Sequence, residues 1–306
     1  MENIIVVAGG TGRLGGKIIT NLLARHAIVH AIVRTGTDSK KIAQLETLGA
    51  KVIIVDMTSR QQVSSACMHA SCVVSALSGL RDVIIGVQRV LLDAAILAGV
   101  PRFIPSDYCL DFRNLAPGQN RNLDLRREFH QYLKQVPINV TTIFNGAFMD
   151  LLSGQMPLIL TSFKRILYWG NASQEMDFTT MNNVASYTAA VAIDADAPRF
   201  LNIAGDRVNV LDVQNVIHEL SQHPFKLFRA GSIDRLNRLI TITKFLFPGK
   251  KDLYPAWQGM QYMRDMMEGK DVLQPLDNDR YPGIEWTRIQ QFLTDHFNDK
   301  RARNLK

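Results

Sequence analysis

The stretch Ile4-Ile5-Val6-Val7-Ala8-Gly9-Gly10-Thr11-Gly12-Arg13-Leu14-Gly15 runs from an apolar, β-branched segment through a glycine turn. It leads into Lys17-Ile18-Ile19 and Asn21-Leu22-Leu23, whose spacing predicts a helix. Strand, glycine turn and helix in that order are the layout of a dinucleotide-binding site. Gly9 is expected at the tight turn, Gly12 where the backbone approaches a pyrophosphate, and Gly15 where the helix packs close to the strand. Gly10, Thr11, Arg13 and Leu14 complete the loop. The helix start offers phosphate oxygens its unpaired N–H groups and the positive end of its dipole. The spacing is Gly-x-x-Gly-x-x-Gly, not the Gly-x-Gly-x-x-Gly of the simplest dehydrogenases.

Outward from that stretch, strand-like and helix-like segments alternate through the first half. Strands are expected at 27–33, 51–55, 72–76, 102–105 and 139–143. They are short, β-branched and almost continuously apolar, which indicates a parallel sheet buried on both faces. Asp82 to Ala98 reads as a deeply packed crossover helix ended by Gly99 and Pro101. Beyond residue 150 the pattern is broken by Met156-Pro157, Phe247-Pro248-Gly249, Tyr254-Pro255 and Tyr281-Pro282-Gly283. Helical candidates there are Leu211 to Leu220 and Ile233 to Phe247, and a late strand at 201–204 returns to the sheet. The expected fold class is therefore α/β, a Rossmann-type doubly wound parallel sheet in 1–150 followed by a smaller substrate lobe in 151–306.

The chain has 306 residues, 46% hydrophobic, so it is long enough for a large core. Its 35 Lys+Arg against 28 Asp+Glu give a formal charge of +7, which suits an anionic cofactor. The basic residues are scattered, with no DNA-reading motif, so no nucleic acid is expected. The one cluster, Lys300, Arg301, Arg303 and Lys306, reads as a solvated terminus. Three cysteines, Cys67, Cys72 and Cys109, without a CxxC pattern argue against a disulfide framework. The chain opens on a strand, not on a signal sequence, and no apolar run is long enough for a bilayer. A cytoplasmic protein without membrane contact is expected. His130, His218 and His223 lack metal-ligand spacing, and no metal is expected.

The end of the second strand discriminates between cofactors. An NAD-type site places Asp or Glu about 20 residues past the glycines. Here Arg34 stands roughly 22 residues beyond Gly12, followed by Thr35, Gly36, Thr37, Ser39, Lys40 and Lys41. An arginine with hydroxyls and lysines behind it suits a 2′-phosphate, so NADP(H) is expected. Asp56 ends the third strand, where it either reaches the adenine edge or caps the next helix. Ala76, Leu77 and Ser78 end the fourth strand above the expected cofactor position. Asn145 and Phe148 follow the sixth, with Gly146 marking close backbone approach and Phe148 a cover for the nicotinamide.

These residues resemble the NmrA-like family of atypical short-chain dehydrogenases, including isoflavone-reductase-like, phenylcoumaran-reductase-like and aromatic alcohol reductase-like members. The resemblance rests on the glycine loop, on Val33-Arg34-Thr35 and on Arg102-Phe103-Ile104-Pro105-Ser106-Asp107-Tyr108. Weaker parallels are Phe178-Thr179-Thr180 with Val184-Ala185-Ser186-Tyr187-Thr188, and Asn278 to Gly283 with Trp286-Thr287. It implies NADPH binding and a pocket between two lobes. In the reductase branch a lysine shortly before a hydrophobic-Arg-Arg step serves as acid/base. The matching step is Leu125-Arg126-Arg127, and Asn122 stands where the lysine is expected. Asn hydrogen-bonds a carbonyl but supplies no proton. The Tyr-x-x-x-Lys pair of ordinary short-chain dehydrogenases is also missing after Tyr108, Tyr132 and Tyr187.

Tyr108 is then the first candidate proton donor, the alternative being an aromatic that packs under the second lobe. Ser106 is expected to orient cofactor or substrate, Asp107 to cap or pair with an arginine, and Asn122 to hydrogen-bond the acceptor. Phe245, Leu246, Phe247, Tyr254, Trp257, Met260, Tyr262, Met263, Met266 and Met267 either pack the second lobe or form a pocket for a flat apolar substrate. Two functions follow. One is an NADPH-dependent oxidoreductase reducing an aromatic, quinone-like or enone molecule. The other is a non-catalytic NADP(H) sensor acting through a protein partner. The face of Ile233 to Phe247 serves either a homodimer or the core.

Overall fold

The structure, a computed structural model, describes residues 3–221 and 223–304. The N-terminal half alternates β1 (Ile4–Ala8), α1 (Arg13–Ala24), β2 (Ile28–Arg34), α2 (Ser39–Leu48), β3 (Lys51–Val55), α3 (Arg60–Cys67) and β4 (Cys72–Ser75). It continues with a π-helical turn (Asp82–Val87) running into α4 (Gln88–Leu97), then β5 (Arg102–Ile104), α5 (Arg121–Leu133) and β6 (Asn139–Val140). The six strands form one parallel sheet in the order β3-β2-β1-β4-β5-β6. The order reverses between β1 and β4, and a crevice opens there at the carboxyl ends of the strands.

Alternation along β1 separates the two faces of the sheet. Ile5 and Val7 enter a core with Ile18, Ile19 and Leu22 of α1, while Val6 and Ala8 enter another with Val63, Leu91, Leu92 and Phe129. Each such side chain removed from water contributes roughly 1.5–3 kcal/mol. α1 buries Gly15, Ile18, Ile19 and Leu22, a single stripe at helical spacing.

The expected strand at 139–143 is two strands. β6 ends at Val140, and β7 (Thr142–Phe144) pairs with a new partner. Thr141 donates its N–H to the Phe103 carbonyl and Thr142 to that of Arg199, so the chain changes neighbours within one residue. β8 (Ala147–Phe148), β9 (Ile159–Leu160), β10 (Arg165–Trp169) and β11 (Met176–Thr179) follow, then α6 (Met181–Ile193) and β12 (Phe200–Asn202). β12 is the late strand: it runs parallel to β7, beginning at Phe200 rather than Leu201 and ending at Asn202. α6 packs on α1 and closes the first core with Val184, Tyr187 and Val191.

The remaining elements are β13 (Asp206–Val208), α7 (Val210–Ser221), β14 (Lys226–Gly231), α8 (Ile233–Leu246), α9 (Ala256–Glu268) and α10 (Ile289–Asn304). Two three-stranded sheets, β14-β10-β9 and β13-β11-β8, lie against a third core that includes Phe178, Ile217, Met263 and Met267. All three cysteines are buried free thiols. No helix among the described residues is long and apolar enough to cross a membrane. The side chains of Lys300, Arg301 and Arg303, and all of Lys306, lie outside the described residues.

Candidate cofactor and substrate site

The glycine loop leaves β1 at the crevice. Gly9 turns with φ +88°, and a Cβ there would sit 2.5 Å from the Ala76 carbonyl oxygen, so the loop lies directly against the end of β4. A Cβ on Gly15 would meet the Gly9 oxygen at 2.2 Å. The loop closes through the Gly12 N–H to the Gly9 carbonyl at 3.0 Å. Gly12 is also the cap of α1, without a side chain to satisfy the first N–H groups, and the first turn carries no acidic residue. Thr11, Gly12 and Arg13 are exposed, whereas Gly10 and Gly15 are buried beneath them. An uncapped helix start with an accessible, side-chain-free cradle is a receptacle for phosphate oxygens.

Arg34 ends β2 beside this loop. Arg34, Thr35 and Lys40 are exposed, and the Arg34 guanidinium has no hydrogen-bond or ionic partner among the described residues. Asp38 accepts the Lys40 N–H at 2.7 Å and starts α2, leaving the lysine side chain free. Asp56 is exposed at the end of β3. Its carboxylate accepts both the N–H and the hydroxyl of Thr58, at 2.8 and 2.7 Å, and these bonds hold it below the usual carboxylate range. Ser59, not Asp56, caps α3. Ala76 and Leu77 are half-buried and Ser78 exposed at the lip of the crevice. Phe148 is half-buried and packs on the first core. Beyond it Asp150 accepts the Met181 N–H at 2.8 Å and lies 3.9 Å from Arg13, which brings the end of β8 to the glycine loop. Asn145 is fully buried, with its side-chain oxygen unpartnered. The close approach at Gly146 is to protein: a Cβ there would lie 2.2 Å from the Asp177 carbonyl oxygen.

The structure gives all three residues of the Ser106-Asp107-Tyr108 segment partners that the sequence did not indicate. The Ser106 hydroxyl donates to the Leu77 carbonyl at 2.6 Å, so it fastens β5 to the β4 loop at the lip of the crevice. Tyr108 is 7% exposed, packed in the first core, with its hydroxyl buried near Thr188. Asp107 pairs with His130 (2.6 Å) and the Thr142 hydroxyl (3.0 Å), a histidine rather than the expected arginine. Gln88, which sequence reasoning passed over, joins this wall: its side-chain oxygen accepts the Ser75 hydroxyl at 2.7 Å and the Ser106 N–H at 2.9 Å. The π-helical turn precedes Gln88, where a regular helix was expected.

Asn122 opens a different cluster. It is buried in the first turn of α5 and donates to the Leu253 carbonyl at 3.1 Å. Tyr262 of α9 lies near Asn122, and Arg126 lies one helical turn further on. Arg126 donates to the Asp107 and Asn122 carbonyls at 3.1 and 3.0 Å. Burial pushes the Tyr262 phenol well above the ordinary tyrosine range, while the nearby Arg126 charge and Asn122 side chain pull part of the way back. Tyr262 thus keeps its proton at neutral pH and is half-buried rather than enclosed. No signal in one sequence links Tyr262 to Asn122 across so long a separation.

Of the apolar residues in the second half, Trp257, Met263, Met266 and Met267 are buried. Phe245, Leu246, Phe247 and Tyr254 are exposed around the end of α8.

The match to known proteins agrees with this geometry. The model of the NmrA-like family matches residues 1–222. Pinoresinol reductase 1 of Arabidopsis thaliana is 28% identical over 230 residues, which cover 71% of each chain. The structure of AtPrR2 with NADP+ and (+)pinoresinol superposes with a TM-score of 0.81 at 21% identity, covering 97% of this chain and 99% of that one. A crystal structure of an isoflavone reductase gives 0.83 at 17% identity, covering 96% and 99%. A glycine cradle at the β1/β4 crevice and a family model spanning the sheet, α6 and the late strand lead to one assignment: the chain belongs to the NmrA-like family.

Proposed function

We propose that this protein is an NADPH-dependent oxidoreductase that reduces an aromatic, quinone-like or enone molecule. The observation that carries the reading is the uncapped glycine cradle with the unpaired Arg34 beside it. Gly9, Gly10, Thr11, Gly12, Arg13, Leu14 and Gly15 would hold the pyrophosphate, and Arg34, Thr35 and Lys40 the 2′-phosphate. The relatives are named as reductases, and one similar structure was solved with NADP+ and an aromatic ligand, which supports the substrate class. When bound, NADPH supplies a hydride. The chain supplies position and a proton. Segment 1–150 carries the cofactor, and residues of 151–306 complete the substrate's enclosure.

In this reading Tyr262 is the proton donor to the developing oxyanion. Asn122 stands beside the phenol, held by the Leu253 carbonyl and by Arg121 Nε, and Arg126 adds a half-buried positive charge near it. Asn122 is therefore a positioning residue in the place where the family's reductases carry a lysine. The test is one variant titrated with two nucleotides. Arg34→Asp should weaken NADPH at least tenfold and change NADH by less than about threefold, since hydrogen bonds to charged groups contribute roughly 1.5–3 kcal/mol. Equal losses for both nucleotides refute the cofactor assignment.

A further inference from the structure

On the same carboxyl edge of the sheet, one strand away from the crevice, lies a cleft of roughly 440 Å³. It opens between the segment after β4, the first turns of α5, and the end of α8 with its following loop. Its charged lining is Arg81, Arg121, Asp124, Glu128, Lys244 and Lys250. Both carboxylates are already spent. Glu128 accepts two guanidinium N–H groups of Arg81 at 2.7 and 2.6 Å, and Asp124 is paired with Arg127. The other three cations have no carboxylate bonded to them among the described residues.

Two of them share one support. The Arg121 guanidinium lies 4.8 Å and the Lys244 ammonium 5.1 Å from the Trp257 ring centre. Arg121 is held in place by the carbonyls of Asp252 (3.0 Å) and Leu253 (2.8 Å) and is attracted by the nearby Asp252 carboxylate without an ion pair to it. Like charges gathered around a concave surface raise the local concentration of anions and bind them better as water is excluded. Asn122 and Tyr262 do not line the cleft; its link to them is Arg121, whose Nε donates to the Asn122 side-chain oxygen at 3.1 Å.

We infer that this cleft is an anion-binding subsite, and that the molecule reduced beside Tyr262 is an apolar or aromatic compound bearing a carboxylate. The substrate half of this inference rests on the oxidoreductase reading; the binding half does not. The test is calorimetric titration of the NADP+-loaded protein with 4-formylbenzoate and with its neutral methyl ester. The carboxylate should bind at least tenfold more tightly, and the preference should shrink with added salt. The double variant Lys244→Gln/Lys250→Gln should lose most of the preference while binding NADPH as the wild type does. Arg121 is left intact because it also fastens the loop backbone. Equal binding of acid and ester, a preference that survives in the double variant, or no saturable carboxylate binding up to about 10 mM would overturn the subsite. NADPH titration of the same samples separates the two readings. Carboxylate binding without NADPH binding refutes the reductase and leaves the subsite, and the reverse refutes the subsite alone.

Discussion

Neighbouring glycines at the start of α1 should respond oppositely to the same substitution. A Cβ on Gly15 would lie 2.2 Å from the Gly9 oxygen, 2.7 Å from the Gly9 carbonyl carbon and 3.0 Å from the Gly10 Cα. All three are backbone atoms, so relief requires the glycine turn to move by about 1 Å relative to the helix. Overpacking of this kind typically costs 1–3 kcal/mol of stability. The displaced atoms are those that would face the pyrophosphate, and a misplacement of about 1 Å weakens a positioned interaction on the order of 100-fold. Gly16 faces the other way: a Cβ there first meets the Gly10 oxygen at 3.4 Å, an ordinary contact. Gly16→Ala should stabilise the helix by up to about 1 kcal/mol and leave nucleotide binding intact. The assays are urea unfolding and NADPH fluorescence titration of both variants. Wild-type NADPH affinity in Gly15→Ala, or matching losses in the two variants, would refute the reasoning.

Three further outcomes are expected. Tyr262→Phe keeps the shape but removes the proton, so kcat with an aromatic acceptor should fall about 100-fold or more while NADPH affinity stays constant; unchanged turnover moves the donor elsewhere. Asp271 is buried without a cationic partner, and burial, reinforced by the charges of Asp265, Asp177 and Asp111, pushes its carboxyl up to about 8. Its folded state holds the proton more tightly than the unfolded chain, so stability should decline as pH rises from about 4 to about 8 and level off beyond. The effect is on the order of a few kcal/mol, and unfolding of Asp271→Asn across that range should lack this decline; a decline of the same size in the variant contradicts the assignment. Gln88→Leu strips the Ser75 hydroxyl and the Ser106 N–H of their acceptor, which should cost about 2–4 kcal/mol in denaturant unfolding; a loss under about 0.5 kcal/mol would show that the wall does not depend on it.

The first half of the fold was legible because its central strands are buried on both faces and so read as apolar runs. The alternate burial of Ile5/Val7 and Val6/Ala8 explains why no polar residue interrupts β1. The loop was legible because close backbone contact admits only glycine at Gly9 and Gly15. The second half was not. β8 and β9 are two residues long, too short to carry a period, and β10 pairs with β14 across a distant part of the chain. The π-helical turn before Gln88 carries no local signature, and its role emerges only from the contacts of Gln88 with Ser75 and Ser106. Tyr108 shows the limit most plainly. Its place after β5 was legible, but its burial against α6 depends on packing that position alone does not specify. Tyr262 is the converse, one aromatic among many until α9 brings it to Asn122.

The central claim is tested most directly by mixing the protein with NADPH and a panel of quinones, aromatic enones and carboxylate-bearing aromatic carbonyls, following nicotinamide absorbance and fluorescence together. The account predicts saturable NADPH binding, tighter than NADH, and acceptor-dependent oxidation that Tyr262→Phe suppresses. Tight NADPH binding with no oxidation by any acceptor would contradict the enzyme reading in favour of an NADP(H) sensor, and no NADPH binding would contradict both readings of the cofactor site.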